Sequence, residues 1–234
     1  MAPDGHHAYV THFSGTMSVI DTATNTVTAT INVGGGALGV AVTPDGRHVY
    51  VAHWGSVMVS VIDTATNTVA ATINVGSVQW DVVVTPNGRW AYVTNRGSGT
   101  VSVINTSTNT IIATIHVQSG PNGVAVAPDG RYVYVTNEGS ATVSVIETTT
   151  NTVTATINVG NAPITVAVAP DSHHAYVVNR GYRALSVINT ATNTATATVD
   201  LGGDPGAVVV TTDGRHVYVT NGGTNTVSVI DTGT

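Results

Sequence analysis

The chain has 234 residues, enough for a sizeable core, and a formal net charge of −6 in which every positive side chain is an arginine. That balance excludes broad binding to a phosphate backbone, which needs a basic face. With no cysteine, a disulfide framework, thiol chemistry and Cys-ligated zinc are excluded, and no apolar run approaches the ~18 residues of a membrane-spanning helix.

Met1-Ala2-Pro3-Asp4-Gly5-His6-His7 has neither the basic start nor the apolar core of a signal peptide. A turn mark, Pro-Asp-Gly at 3–5, then returns at Pro44-Asp45-Gly46, Pro86-Asn87-Gly88, Pro128-Asp129-Gly130, Pro170-Asp171-Ser172 and Thr212-Asp213-Gly214. The spacing is 41 once and 42 four times, so the chain is a repeat with approximate units 1–38, 39–80, 81–122, 123–164, 165–206 and 207–234. Unit two reads GVAVTPDG (39–46), RHVYVAH (47–53), VSVIDT (59–64) and TVAATINVG (68–76). Each phrase is a short run of β-branched and aromatic residues bounded by turn residues, and valine and threonine together fill about a third of the chain, so each phrase reads as a strand. Asp-Gly closes the first hairpin and Asp63-Thr-Ala-Thr-Asn-Thr68 the next. Val82-Val83-Val84 and Val208-Val209-Val210 put apolar side chains on both parities, which predicts sheets covered on both faces.

Four antiparallel strands per repeat, covered on both faces, predict an all-β chain: a single β-propeller domain of four-stranded blades. The second and third strand types occur six times each and the inner and outer types five times each, 22 in all. Six blades with an incomplete first and last are therefore expected. The alternative, five blades closed by the strand at 207–211, would evict the apolar hairpin 215–231. Unpaired edges at the two incomplete blades predict association of two copies through them.

The phrases Tyr-Val-Thr-Asn (92–95, 134–137, 218–221), Val-Ser-Val-Ile (101–104, 143–146, 227–230) and Pro-Asp-Gly-Arg (44–47, 128–131) resemble the YVTN family of β-propeller repeats over the whole chain. That resemblance implies a bacterial or archaeal protein of the secreted, periplasmic or surface-layer type, hence an extracytoplasmic location. By similarity to other propellers, GVAV is the innermost strand and TVTATI the outermost. The hairpin turns then share one end of the blades, and the loops after YVTN share the other with the outer-to-inner connections.

The hairpin end is nearly invariant between repeats, whereas the other end varies. Its loops read THFSGT (11–16), AHWGSVM (52–58), TNRGSGT (94–100), TNEGSAT (136–142), VNRGYRA (178–184) and TNGGTNT (220–226). Asn95, Asn137, Asn179 and Asn221 at the second loop position read as turn residues whose amides bond their own backbone. Two repeats depart from this with His12-Phe13 and His53-Trp54, and Trp80, Asp81 and Arg96 join them in unit three. Aromatic rings with a few polar groups on loops suit a sugar or another flat ligand. Arg180, Tyr182 and Arg183 form a second candidate, a positive spot able to accept a carboxylate, sulfate or phosphate.

Other chemistry is scarce. No nucleophile elbow, phosphate loop or paired-histidine zinc helix occurs, and glutamate is present only at 138 and 147. His7, His48, His174 and His216 share one repeat position with Trp90 and Tyr132, which predicts a half-buried flat ring and not a ligand. His12, His53 and Asp81 are a weak metal set, so no cofactor is expected. The leading expectation is a non-enzymatic module binding a glycan, peptide or protein on the variable loops, with neither nucleic-acid binding nor membrane insertion. Two alternatives stand beside it: a lyase- or hydrolase-like, metal-assisted enzyme at the mouth of a central channel, and an excised or engineered repeat fragment without a dedicated ligand.

Overall fold

A computed structural model describes residues 1–233. All 22 expected strands are present, gathered into six antiparallel sheets in chain order, three in each of two compact units. In unit 1, residues 1–115, blade 1 has three strands, β1 (His7–His12), β2 (Thr16–Asp21) and β3 (Thr26–Asn32). Blade 2 has four, β4 (Ala37–Val42), β5 (His48–His53), β6 (Met58–Asp63) and β7 (Thr68–Asn74). Blade 3 repeats them as β8 (Gln79–Val84), β9 (Trp90–Asn95), β10 (Thr100–Asn105) and β11 (Thr110–His116), whose last residue lies at the boundary.

Unit 2, residues 116–234, begins with blade 4, β12 (Pro121–Val126), β13 (Tyr132–Asn137), β14 (Thr142–Glu147) and β15 (Thr152–Asn158). Blade 5 follows with β16 (Pro163–Val168), β17 (His174–Asn179), β18 (Ala184–Asn189) and β19 (Thr194–Asp200). Blade 6 has three strands, β20 (Pro205–Val210), β21 (His216–Asn221) and β22 (Thr226–Asp231). Helix is confined to two single 3₁₀ turns, Glu138–Ser140 and Arg180–Tyr182, among the described residues. The architecture is that of a six-bladed β-propeller, and the five-blade alternative is excluded by the six separate sheets. As expected, blade 1 lacks an inner strand and blade 6 an outer one.

Side-chain oxygens shape both turn types. Asp45 Oδ1 accepts hydrogen bonds from the Thr43 hydroxyl (2.6 Å) and the Arg47 amide (3.0 Å), which hold the carboxyl below its usual range. Asp63 Oδ1 accepts from the amide and hydroxyl of Thr66, and Asn67 takes a left-handed φ of 55° to return the chain. Inner strands of neighbouring blades approach closely. A Cβ on Gly39 would lie 2.7 Å from Asp81 Cα, and one on Gly123 would lie 2.6 Å from the Ile164 carbonyl oxygen. Only glycine fits where two backbones come that near.

The core lies between successive blades. In unit 1, Tyr50, Val59 and Val61 on one face of blade 2 pack with Ala91, Val93 and Ile104 on the facing side of blade 3. Tyr50 is fully buried, its phenol pushed up to about 12 by burial, and its hydroxyl donates to Asn109 Oδ1 at 2.7 Å. In unit 2 the same arrangement joins Tyr134, Val143 and Val145 of blade 4 to Ala175, Val177 and Ile188 of blade 5. Coverage is less even than the sequence predicts. The second and third strands of blades 2 to 5 are buried nearly throughout, but the outer strands of blades 2 to 4 bury little beyond one isoleucine each, such as Ile73 and Ile157, and that of blade 5 only half-buries Val199. Val208-Val209-Val210, expected to be covered on both sides, leaves Val209 exposed, because Val208 and Val210 join the cluster shared with blade 5 and Val209 points away from it.

Candidate functional site

The variable end of unit 1 is assembled by hydrogen bonds between each loop and the connection beside it. Gly36 N–H donates to the Phe13 carbonyl (3.0 Å), and Trp54 N–H donates to the Gly36 carbonyl (2.7 Å). Gly36 has a φ of 75°, and a Cβ there would lie 2.1 Å from the Trp54 carbonyl oxygen. One residue in a conformation that favours glycine thus clamps both aromatic loops. The clamp brings Phe13 and Trp54 to a centroid separation of 5.8 Å at 43° tilt, with both rings largely in solvent. Val57 and Met58 are also exposed on the Trp54 loop, a feature the sequence reading did not single out.

The Trp54 loop is tied to the Trp80 loop, since Val78 N–H and the Gln79 side-chain amide both donate to the Ser56 carbonyl (3.1 and 3.0 Å). Trp80 is half-buried, and the Arg96 guanidinium stands 5.5 Å from its ring centroid. Asp81 is half-buried, with Oδ1 accepting from the Val82 amide at 2.9 Å. Phe13, Trp54, Trp80 and Arg96 therefore sit on two bonded loop systems of one unit.

The histidines play a different part. His53 is only 3% exposed, its Nε2 lies 2.9 Å from the Ser60 hydroxyl, and its Nδ1 lies 3.3 Å from the Gly35 carbonyl oxygen. Burial lowers its pKa, only partly opposed by the carbonyls of Gly35 and Gly34. Asn occupies the same place in later blades. Asn95, Asn137, Asn179 and Asn221 are buried, and each Nδ2 donates to a serine hydroxyl seven residues on: Ser102 (2.9 Å), Ser144 (3.0 Å), Ser186 (2.8 Å) and Ser228 (2.8 Å). These amides reach across the hairpin to the neighbouring strand, which corrects the expectation that they bond their own turn. His12 does the same with Ser18 at 2.8 Å, six residues on, because its loop is one residue shorter. That missing residue is also the source of the single 41-residue spacing. His12 and His53 are thus stand-ins for the bonding asparagine. Among the described residues, no three of His, Asp or Glu converge on a metal position, so His12, His53 and Asp81 are not brought together as one.

In unit 2 the positive spot is partly self-neutralised. Arg180 Nε and Nη2 donate to the two carboxylate oxygens of Asp204 at 3.0 and 3.1 Å, raising the arginine pKa and lowering the aspartate's. Tyr182 and Arg183 stay exposed, so Arg183 alone of the two arginines is left without this carboxylate partner. The half-buried rings expected at the hairpin end are there too, with Arg89 over Trp90 and Arg131 over Tyr132, each at 5.5 Å.

A recess of about 710 Å³ lies at the hairpin end between blades 2 and 3, lined by Asp45, Arg47, His48, Arg89 and Trp90. Smaller recesses of about 220, 250 and 270 Å³ occupy the same repeat position elsewhere within the two units. Such recurrence marks a gap left by blade packing, and the aromatic loops remain the distinctive surface.

A family model described as a lactonase, seven-bladed β-propeller, matches residues 64–163 and 119–233. The chain belongs to this lactonase propeller family. Residues 119–163 are matched twice within the family model, as expected where repeats are nearly alike. The chain has six blades where the family's description has seven. No curated protein matches the sequence. Among solved structures, a functionally unknown protein from Desulfotomaculum acetoxidans DSM 771 is similar at 21% identity and a TM-score of 0.81, over 97% of this chain and 79% of that one. Hydrazine synthase from Kuenenia stuttgartiensis is similar at 20% identity and 0.69, over 99% of this chain and 94% of that one. At such identities these two likenesses speak for the fold, and the lactonase family's chemistry stays with the family name.

Proposed function

We propose that this chain is a non-enzymatic propeller module, one domain of 42-residue repeats, that binds a glycan, peptide or protein through Phe13, Trp54, Trp80 and Arg96. The observation that carries this reading is the solvent-exposed Phe13–Trp54 pair held by the Gly36 clamp. Exposed rings on a fixed backbone lose little freedom on binding, and their faces suit a sugar ring or an apolar side chain. Tyr182 and Arg183 offer a second contact point for an anionic group. An extracytoplasmic location and the finer affiliation to YVTN repeats rest on the repeated Tyr-Val-Thr-Asn phrases. Neither nucleic acid nor a membrane interior is a partner in this reading.

The test is a glycan and peptide array probed with the wild type, Trp54→Ala and Trp80→Ala. Each ring acting as an anchor contributes about 2 kcal/mol, roughly a thirtyfold loss of affinity on removal. Unchanged binding by both variants sinks the reading. The family match favours a second reading, hydrolysis of a lactone, in which the half-buried Asp81, next to Trp80 in the chain, is the candidate carboxylate. Turnover of a simple δ-lactone that is lost in Asp81→Asn, with no ligand found on the arrays, would put the enzyme first.

A further inference from the structure

The recess between blades 2 and 3 shares its place in the repeat with others, but neither its size nor its lining. It measures about 710 Å³, against about 220–270 Å³ for its counterparts, and so reaches the volume of a small-molecule site. All of its lining, from Thr43 to Asn109, belongs to unit 1. The counterparts are acidic: Asp4 lines one, Asp171 and Asp213 another, and Asp129 and Asp171 the third, with Arg131. Between blades 2 and 3, Arg47 and Arg89 stand against Asp45 alone. Among the described residues neither guanidinium forms an ion pair, so the lining leaves a net positive charge on an acidic protein.

The difference originates in blade 3. Two turn positions recur at the hairpin end, and every other blade carries a carboxylate at one or both, as blade 2 does with Asp45 and Asp63. Blade 3 has Asn87 and Asn105 there. Their oxygens are occupied. Asn87 Oδ1 accepts from the Thr85 hydroxyl (2.8 Å) and the Arg89 amide (3.0 Å), and Asn105 Oδ1 from the amide and hydroxyl of Ser107 (2.9 and 2.7 Å). Backbone amides only donate, so neither carboxamide can turn round, and each is left with its NH₂ group to offer. Neither Nδ2 has an acceptor among the described residues. Arg89 also stands 5.5 Å from the centroid of the half-buried Trp90 ring, which holds the guanidinium beside a flat wall.

We propose that this recess binds an acidic sugar, a pyranose carrying a carboxylate or sulfate group, independently of the aromatic loops. Arg47 and Arg89 take the oxyanion, Asn87 and Asn105 donate to hydroxyl or ring oxygens, and Trp90 lies against the sugar ring. A neutral sugar fits less well, because its hydroxyls need acceptors too, and Asp45 Oδ1 already serves Thr43 and the Arg47 amide.

The experiment is calorimetric titration of the 234-residue chain with a uronic acid disaccharide, a sulfated disaccharide and a neutral disaccharide of the same linkage. At least one acidic sugar should bind, more weakly as salt rises, and the arm that binds identifies the charged group. Asn87→Asp restores the carboxylate of the other repeats. Thr85 and Arg89 can donate to it as Thr43 and Arg47 do to Asp45, so the fold is kept. This variant should weaken acidic-sugar binding roughly tenfold or more, as should Arg89→Gln, with melting curves checking that both fold. Should Asn87→Asp not fold, Arg89→Gln decides alone. Trp54→Ala should bind the acidic sugar as the wild type does, which separates this site from the aromatic loops. Loss of binding in Trp54→Ala overturns the inference, as does binding that survives either recess substitution in a folded protein. Equal affinity for the neutral disaccharide, or no binding at millimolar sugar, overturns it as well. Inorganic sulfate competing with the affinity of the sugar itself would mean an adventitious ion only, and has the same consequence.

Discussion

Replacing Gly36 by alanine tests whether one backbone position sets the aromatic surface. The new methyl would fall 2.1 Å from the Trp54 carbonyl oxygen, and the backbone would have to keep a φ of 75°. Holding an L-residue in that left-handed region costs about 1–2 kcal/mol. Relieving the clash means giving up the Trp54-to-Gly36 hydrogen bond, about 0.5–1.5 kcal/mol more, and the Phe13 bond is exposed to the same movement. The sum is about 1.5–3.5 kcal/mol, which for a chain of this size lowers Tm by roughly 3–14 °C. Gly35→Ala is the control, since nothing lies within 4 Å of a Cβ there. Differential scanning calorimetry and near-ultraviolet circular dichroism of the ring pair read the two effects together. If Gly36→Ala and Gly35→Ala melt alike and keep the same aromatic signal, Gly36 does not clamp the loops and the reasoning fails.

Asn137→Ala should cost about 2–4 kcal/mol, because it strips Thr142 and Ser144 of a buried donor and leaves a small void; urea unfolding measures it. His53→Asn should fold normally, because asparagine makes this bond in four other blades. The same substitution should remove a pH dependence. His53 has a folded pKa below 6.5, so its contribution to stability is complete above 6.5 and is lost as pH falls from there through the folded value. Relative to wild type, His53→Asn should therefore gain stability between pH 7.5 and pH 5.5, and parallel melting curves over that range would contradict the burial argument.

The repeat made the architecture legible: turn marks 42 residues apart and β-branched phrases between them locate all 22 strands and both three-stranded blades. The aromatic loops also stood out, because His12-Phe13 and His53-Trp54 break a pattern that the other repeats keep. The asparagine bond was within reach and went unread. The spacing from Asn95 to Ser102 recurs from Asn137 to Ser144, from Asn179 to Ser186 and from Asn221 to Ser228, a signal as regular as the turn marks. Arg180 and Asp204 meet across 24 residues with no local pattern to announce the pair.

The asparagine–serine bond also bears on how such chains change over generations. Both partners belong to one hairpin, seven residues apart, so a copied stretch of about 42 codons brings its own fastening with it. Inserting or deleting a whole repeat leaves no orphaned half of that bond elsewhere in the chain, whereas an inserted half-repeat would. Lineages built this way can vary in blade number by unequal recombination without first acquiring compensating substitutions.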